Sequence, residues 1–516
     1  MPKVNLDAII PREDFEVREN ESIGKKKETI SIEDIKVDSF FFMTVRKPDF
    51  QRETNEWDEN KVIEFIKSFL DGDLIPAIIL WRSSGGYLFV IDGSHRLSSL
   101  GAWVNNDYGD GEISKEFYDG IIPKEQLTIA EKTRKLVNSQ IGSYKDYTLA
   151  LRSPNKVKNE IVEKAKNLGA LAIQLQWVEG DASKAENSFL KINQQAAPID
   201  GTELKLIKSR KKPNSIAARA IIRSGTGHKY WSKFEEKKQK TIQELAEKIH
   251  KILFEPKLQT PIKTLDIPIG GKSSSSTSLP LVLDFVNISN VIVHNKDKLE
   301  DDEIGDETIK LLKQTLKIAQ LINSNHPSSL GLHPIIYFYS KEGRHKPALF
   351  YGVIKFILEL KKKKKINNFI KTRVKIESII WKYDYLMQQI HRKYRGAQAS
   401  FPHVANFLLR AVDLLVENHL SEEDTIKELI KNEFPFLTID KNISNETKKK
   451  DFSTSNKSAI YIRDAINSAP KCQICHCLIH KNSISIDHKQ RKQDGGLGTI
   501  DNGQLAHPYC NTGYKN

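Results

Sequence analysis

The chain has 516 residues, 39% of them hydrophobic and 28% charged, a globular composition with room for two or three domains. No run of eighteen apolar residues occurs and the opening MPKVNLDAIIPREDFEV has no apolar core, so neither a membrane span nor a secretory leader is expected. A net charge of +14 and a pI near 9.2 favour a polyanionic partner without naming it, and four cysteines fit a reducing cytoplasm better than a disulfide framework.

Residues 1–30 are polar and charged and read as a loosely attached arm, with structure expected from Ile30 onward. Residues 40–45 read as a buried strand because aromatic and β-branched side chains dominate them. Pro48-Asp49-Phe50-Gln51-Arg52 and Trp57 follow. Asp58 is a suitable N-cap for a helix through Leu70, whose Val62, Phe65, Ile66, Phe69 and Leu70 form an apolar stripe; Gly72 ends it. Two strands, residues 77–81 and 87–91, are joined by Ser83-Ser84-Gly85-Gly86. The second runs into Asp92-Gly93-Ser94-His95-Arg96 and a helix over residues 97–104. A strand, a glycine turn and a helix start bring backbone N–H groups and an arginine to one point, which suits an anion.

The DGSHR run, with Phe50-Gln51-Arg52 and Trp57 upstream, resembles the DGQQR and DGQHR domains related to ParB and sulfiredoxin. Phe189-Leu190-Lys191-Ile192-Asn193 and Gly201-Thr202-Glu203-Leu204 are similar to a later segment of that family. Two positions depart from its pattern: Ser94 stands where glutamine is preferred, and Gln195-Ala196-Ala197 where a glycine is usual. The resemblance covers residues 30–210. It implies an α/β domain of the kind found in restriction and antiphage proteins such as GmrSD and SspE, where it is linked to nucleotide binding or hydrolysis and is followed by an HNH-type nuclease. It further implies that Asp92, Gly93, His95 and Arg96, faced by Gln51 and Arg52, line a pocket that senses an NTP or a DNA modification. A solvent-exposed turn, its Asp capping the helix and its Arg paired to a carboxylate, is the plainer alternative.

Residues 125–170 read as helical and lysine-rich. Residues 171–178 alternate as a strand, and Asp181 starts a helix carrying Phe189 and Ile192. Gly270-Gly271-Lys272-Ser273 is not a phosphate-binding Walker loop, because Asp266 occupies the required glycine position and Pro268 interrupts. Residues 279–437 read as helical, with residues 335–339 either helix or strand. The lysines at 361–365, with Lys371, Arg373, Lys375, Arg392, Lys393 and Arg395, form the densest basic zone outside the tail and suit a solvated face as well as a DNA-contacting one. Residues 441–456 read as a linker, and residues 457–469 as a helix.

All four cysteines lie in the tail, KCQICHCLIHKNSISIDHKQRKQDGGLGTIDNGQLAHPYCNTGYKN. Cys472 and Cys475 form one knuckle, His507 and Cys510 a second, the spacing of a closed structural zinc site. Cys477, His476 and His480 also offer ligand atoms, so spacing alone leaves the set open. Between the knuckles, residues 483–486 alternate as a strand and deliver Asp487-His488; Asp494-Gly495-Gly496, Asn502 and Asn511 follow. This order resembles the HNH endonuclease family, with its ββα-metal motif of C-x2-C, DH, N and C-x2-C-N, except that His507 replaces a cysteine. The resemblance implies His488 as general base, Asp487 and Asn511 as ligands of a catalytic Mg²⁺ or Mn²⁺, and Asn502 as the residue that fixes the loop and orients the His488 ring.

The expected fold is therefore an α+β multidomain chain. Its parts are a polar arm (1–30), a ParB/sulfiredoxin-like α/β sensor (31–210), a mainly helical region (211–440), a linker (441–456) and a zinc-bound, treble-clef-like HNH domain (457–516). The expected function is that of a cytoplasmic, metal-dependent DNA endonuclease governed by the sensor, acting in antiphage restriction, with DNA and an NTP as partners and room for a homodimer. The rivals are a non-cleaving zinc-containing DNA-binding regulator and an NTPase that uses the tail as a DNA anchor.

Overall fold

The computed structural model describes all residues except 1–2, 14–24, 49–50, 52–53, 119, 121, 123, 197–208, 227–228, 274–277, 293–298, 440–450 and 516. Arg52 and the Gly201-Thr202-Glu203-Leu204 segment lie outside the described residues, as does most of the expected linker. The chain forms two compact units, residues 1–210 with 226–230, and residues 211–225 with 231–516.

The first unit is built on a six-stranded mixed sheet. Its strands are β1 (Arg12–Glu13), β2 (Thr29–Ser31), β3 (Val45–Pro48), β4 (Ile78–Arg82), β5 (Leu88–Asp92) and β6 (Ala172–Val178), in the order β1-β3-β5-β4-β6-β2. Strands β4 and β5 form an antiparallel hairpin at the centre, flanked by parallel pairings of β5 with β3 and of β4 with β6. Alternation along β5 explains why both faces are covered. Leu88 and Val90 join the main core, while Phe89 and Ile91 join a smaller cluster with Trp81, Ala185 and Phe189 of the helix Ala182–Ala196.

The helix Glu59–Asp71 runs between the expected signals, the Asp58 side chain accepting the Lys61 N–H and Gly72 closing in the left-handed region at φ 74°. Two expectations fail here. The polar arm is not loosely attached: Val4, Leu6, Ala8, Ile9 and Ile10 are buried, Arg12 pairs with Asp7 in the interior, and β1 extends the sheet. The short apolar run, not the charged residues around it, decides the placement. Phe40–Thr44 is one turn of helix rather than a strand, exposing Phe40 and burying Phe42, and the strand begins only at Val45.

The second unit is helical, with a small hairpin. Pro347–Lys362 and Ala397–Glu417 pack against each other at its centre, joined by helices that include Pro213–Ile222, Glu236–Phe254, Ser278–Ser289, Asp306–Ile322 and Ile366–Lys382. Ala397–Glu417 is long and apolar enough to cross a membrane by length and composition, but Val404, Phe407, Leu408, Val412 and Leu415 are buried core residues. Residues 335–339 resolve into the short helix Pro334–Tyr337, then a β-bridge from Tyr339 to His345. Thr454–Ser468 forms a helix capped by Ser453, starting three residues before the expected 457. The tail hairpin pairs β7 (Ser485–His488) with β8 (Gly503–Ala506). The knuckle turns around it are joined to the rest of this unit: Tyr509 N–H donates to the Ser329 carbonyl, Ser483 Oγ meets Ser329 Oγ, and Thr512 donates to the Pro327 carbonyl.

Candidate functional site

Two tight turns bring the knuckles together. In the first, the Cys472 N–H donates to the Cys477 carbonyl and the His476 N–H to the Cys472 carbonyl. The second follows β8 and continues into a π-turn, Cys510–Tyr514. One ligand atom from each of Cys472, Cys475, His507 and Cys510 falls within 4.8 Å of the other three, and all four residues are buried. His507 Nδ1 faces the sulfurs, 3.3 Å from Cys475 Sγ, while Nε2 lies 3.0 Å from the Leu478 carbonyl. A carbonyl only accepts, so the ring proton belongs on Nε2 and the Nδ1 lone pair is left for a metal. Hydrogen bonding within the cluster, from Cys472 first, holds the Cys475 thiol far below the usual thiol range. Three sulfurs and one imidazole nitrogen in a closed, buried cluster fit a structural zinc ion. The remaining candidates lie elsewhere: Cys477 Sγ donates to the Cys475 carbonyl, and His480 Nδ1 meets Asn323 Oδ1 at 3.1 Å.

Arg373 lies behind this cluster, fully buried although the sequence places it in a basic run. Its guanidinium donates to the carbonyls of Leu330 (2.6 Å) and Gly331 (3.0 Å) and to Glu377 (2.7 Å), and it approaches His507 Nδ1 at 3.3 Å. Three thiolates around one divalent ion leave a net negative charge, which this buried cation offsets. Gly331 makes the close approach feasible. It sits at φ +60°, and a Cβ there would fall 2.3 Å from His507 Cδ2.

The hairpin places the Asp-His pair beside the cluster. Asp487 is paired with Gln504 and His488 with Gly503 across the strands. Alternation turns Asp487 inward at 5% exposure and Ile486 outward at 61%. Asp487 Oδ2 accepts from Gln504 Nε2 at 2.6 Å and from Lys515 Nζ at 2.7 Å, and Lys515 also donates to the His488 carbonyl. Asn511 Nδ2 reaches the same strand, donating to Ser485 Oγ at 2.7 Å and to the Ile486 carbonyl at 3.2 Å. Asn502 departs from its expected role toward the His488 ring. Its side chain accepts from the Gln490 N–H and donates to the Gln490 and Leu497 carbonyls, so it fixes the 490–497 loop. Among the described residues no hydrogen bond reaches the His488 ring.

In the first unit, Gln51, Trp57, Asp92, Gly93, Ser94, His95 and Arg96 line a cavity of about 210 Å³. Gly93 turns the chain at φ +95° into the helix Ser94–Val104, whose first N–H groups open there. Trp57 stacks on His95 with centroids 5.5 Å apart. Gln51 is buried, and among the described residues its Oε1 has no hydrogen-bond partner, an acceptor held in a polar cavity. Arg96 is tied down: Nη2 pairs with Asp92 and Nη1 donates to the Pro76 carbonyl, both at 2.5 Å. The arginine is thus paired to a carboxylate, as in the plainer alternative, beside a cavity lined by five of the residues that the resemblance singles out, Gln51, Asp92, Gly93, His95 and Arg96.

Sequence reasoning missed Lys515, Gln504, Arg373 and Gly331. The first two carry no motif of their own, and the last two are distant in sequence from the tail that they serve. A family model of the GmrSD restriction endonuclease N-terminal domain matches residues 32–309, and an HNH endonuclease model matches residues 472–516. The first match runs past the expected boundary at 210 into the helices of the second unit. No curated protein and no solved structure gives a significant match.

Proposed function

The chain belongs to the family of the GmrSD restriction endonuclease N-terminal domain and carries an HNH endonuclease domain, and from this we propose a DNA endonuclease controlled by its N-terminal unit in defence against phage. The observation that carries the nuclease reading is the convergence, beside a cluster suited to structural zinc, of Asp487, His488 and Asn511 on one strand and the turn packed on it.

Phosphodiester hydrolysis requires a water that loses a proton and a leaving oxygen whose charge is stabilised. His488, its ring free of hydrogen bonds among the described residues, takes the proton. Asp487 and Asn511 supply oxygen ligands for Mg²⁺ or Mn²⁺, which when bound stabilises charge on the scissile phosphate. The site suits a cation, since Asp487 already holds the Lys515 ammonium. Asn502 keeps the loop after His488 in one conformation, and Gln504 holds the Asp487 carboxylate against β8. The cavity at Asp92–Arg96 takes an NTP or a modified base, with Gln51 as a hydrogen-bonding partner and the Trp57–His95 stack as an aromatic wall.

Incubation of the intact protein with supercoiled plasmid and Mg²⁺ or Mn²⁺, on modified and unmodified DNA with and without each NTP, tests the reading. Nicked or linear product that depends on the divalent ion supports it. DNA binding without cleavage under all conditions returns the chain to a zinc-containing DNA-binding regulator, and NTP hydrolysis without cleavage to an NTPase anchored by its tail.

A further inference from the structure

Asp487 is the carboxylate to which the nuclease reading assigns the divalent ion, and it already holds a cation supplied by the chain. Lys515 Nζ lies 2.7 Å from Asp487 Oδ2 and donates as well to the His488 carbonyl, so the ammonium bridges both residues of the Asp-His pair. This placement is built into the backbone. The Lys515 N–H donates to the carbonyl of Cys510 at 3.1 Å, so the π-turn that starts at a zinc-cluster residue ends at this lysine. From the other side, Arg491 of the loop after His488 donates to the Lys515 carbonyl at 2.6 Å. The two side chains are only 6% (Asp487) and 19% (Lys515) exposed, which separates the pair from the many solvent-screened lysine pairs elsewhere on the molecule.

A hard divalent ion binds a carboxylate oxygen at about 2.1 Å. With the ammonium on the same oxygen, the two cations would stand within roughly 5 Å of each other, where like charges in a partly buried site repel strongly. The two cations therefore compete for Asp487, most directly at Oδ2. We propose that Lys515 is an internal cation that guards the metal-binding carboxylate: the divalent ion enters against the charge of the ammonium, so the turn that carries this lysine sets the metal affinity of the site. The lysine is a positioning and gating residue, acting through Asp487 and not on the reacting atoms.

The proposal rests on the nuclease reading, and the two fail separately. Mn²⁺ binding to the zinc-loaded intact chain is followed by electron paramagnetic resonance of the free ion, for the wild type, Lys515→Met, Lys515→Arg and Asp487→Asn, with zinc content and circular dichroism as checks on folding. Removal of the competing charge in Lys515→Met tightens Mn²⁺ binding by on the order of tenfold, the scale of one partly buried ion pair. Lys515→Arg retains a cation and stays near the wild-type affinity, which separates charge from packing. Wild-type or weaker affinity in folded Lys515→Met overturns the guard. Mn²⁺ binding unchanged in Asp487→Asn overturns the metal site itself, and with it the reading on which the guard depends.

Discussion

Arg373→Ala tests how much the buried guanidinium behind the cysteine–histidine cluster holds the second unit together. The guanidinium is fully buried, pairs with a buried Glu377 and holds the Leu330 and Gly331 carbonyls. Removing one partner of a buried ion pair costs about 3–5 kcal/mol, because the other charge stays buried without compensation. Tyr337 still donates to Glu377 at 2.9 Å, which trims that cost, while each carbonyl that loses its donor adds about 1 kcal/mol. The expected loss is about 4–6 kcal/mol, a large part of the 5–15 kcal/mol that typically separates folded from unfolded protein. Urea unfolding of the intact chain, with zinc release followed by a chelating dye, gives the shift of the zinc-releasing transition. Removing both charges in Arg373→Met/Glu377→Leu should recover at least about 2 kcal/mol, since a buried pair replaced by apolar groups is far less costly than a broken one. A loss under about 1 kcal/mol in Arg373→Ala, with zinc retained, would refute the argument.

Cys472→Ser or Cys510→Ser should abolish zinc loading in metal analysis. The sequence alone predicts that only the tail unfolds; because the knuckles share a core with residues 323–337, calorimetry should instead show the whole second unit destabilised and the first unit's transition unmoved. His488→Ala should lower plasmid nicking by roughly two to four orders of magnitude while zinc content and fold persist. His507→Ala should lose zinc, structure and nicking together; a folded, zinc-loaded His507→Ala would instead make that histidine catalytic. Asp92→Ala and Arg96→Ala should each remove NTP- or modification-dependent stimulation, and the double variant should be no worse than either single one because the two side chains pair with each other.

The parts of the fold that were legible are those encoded locally. Asp58 and Gly72 frame their helix because an N-cap and a left-handed glycine act within one turn. The zinc cluster was legible because two knuckles bring their ligands together through short turns, leaving only the pairing of the knuckles to tertiary structure. The three consecutive phenylalanines at 40–42 misled because β propensity describes a fit to a half-buried pleated surface, and Phe40 is largely exposed on a single helical turn. Arg373 was unreadable for the opposite reason. Its neighbours Lys371 and Lys375 face solvent, and nothing local distinguishes an arginine that sits on the buried stripe of Ile366–Lys382. Asn502 bonds the 490–497 loop, the first half of its expected role, and a motif gives the order of residues but not which further groups a side chain reaches.

The shared core narrows how an HNH tail of this kind is restrained. On the proposed reading the nuclease is held in check by the N-terminal unit, and one form of such control would release the tail as a separate body. Here that movement would break the Arg373–His507 approach, the Tyr509–Ser329, Ser483–Ser329, Thr512–Pro327 and His480–Asn323 bonds, and the contact between Gly331 and His507. Each buried polar group left unpaired costs about 1–3 kcal/mol, so the sum over these bonds is comparable with the free energy of unfolding itself. Differential ligand binding supplies 1–3 kcal/mol in typical allosteric coupling. That is too little to detach the tail, but it matches the scale on which one lysine leaves one carboxylate. On the proposed reading, control within reach of a ligand therefore acts on small displacements at Asp487, His488 and the 490–497 loop, with the cysteine–histidine cluster and Arg373 as the fixed frame around them.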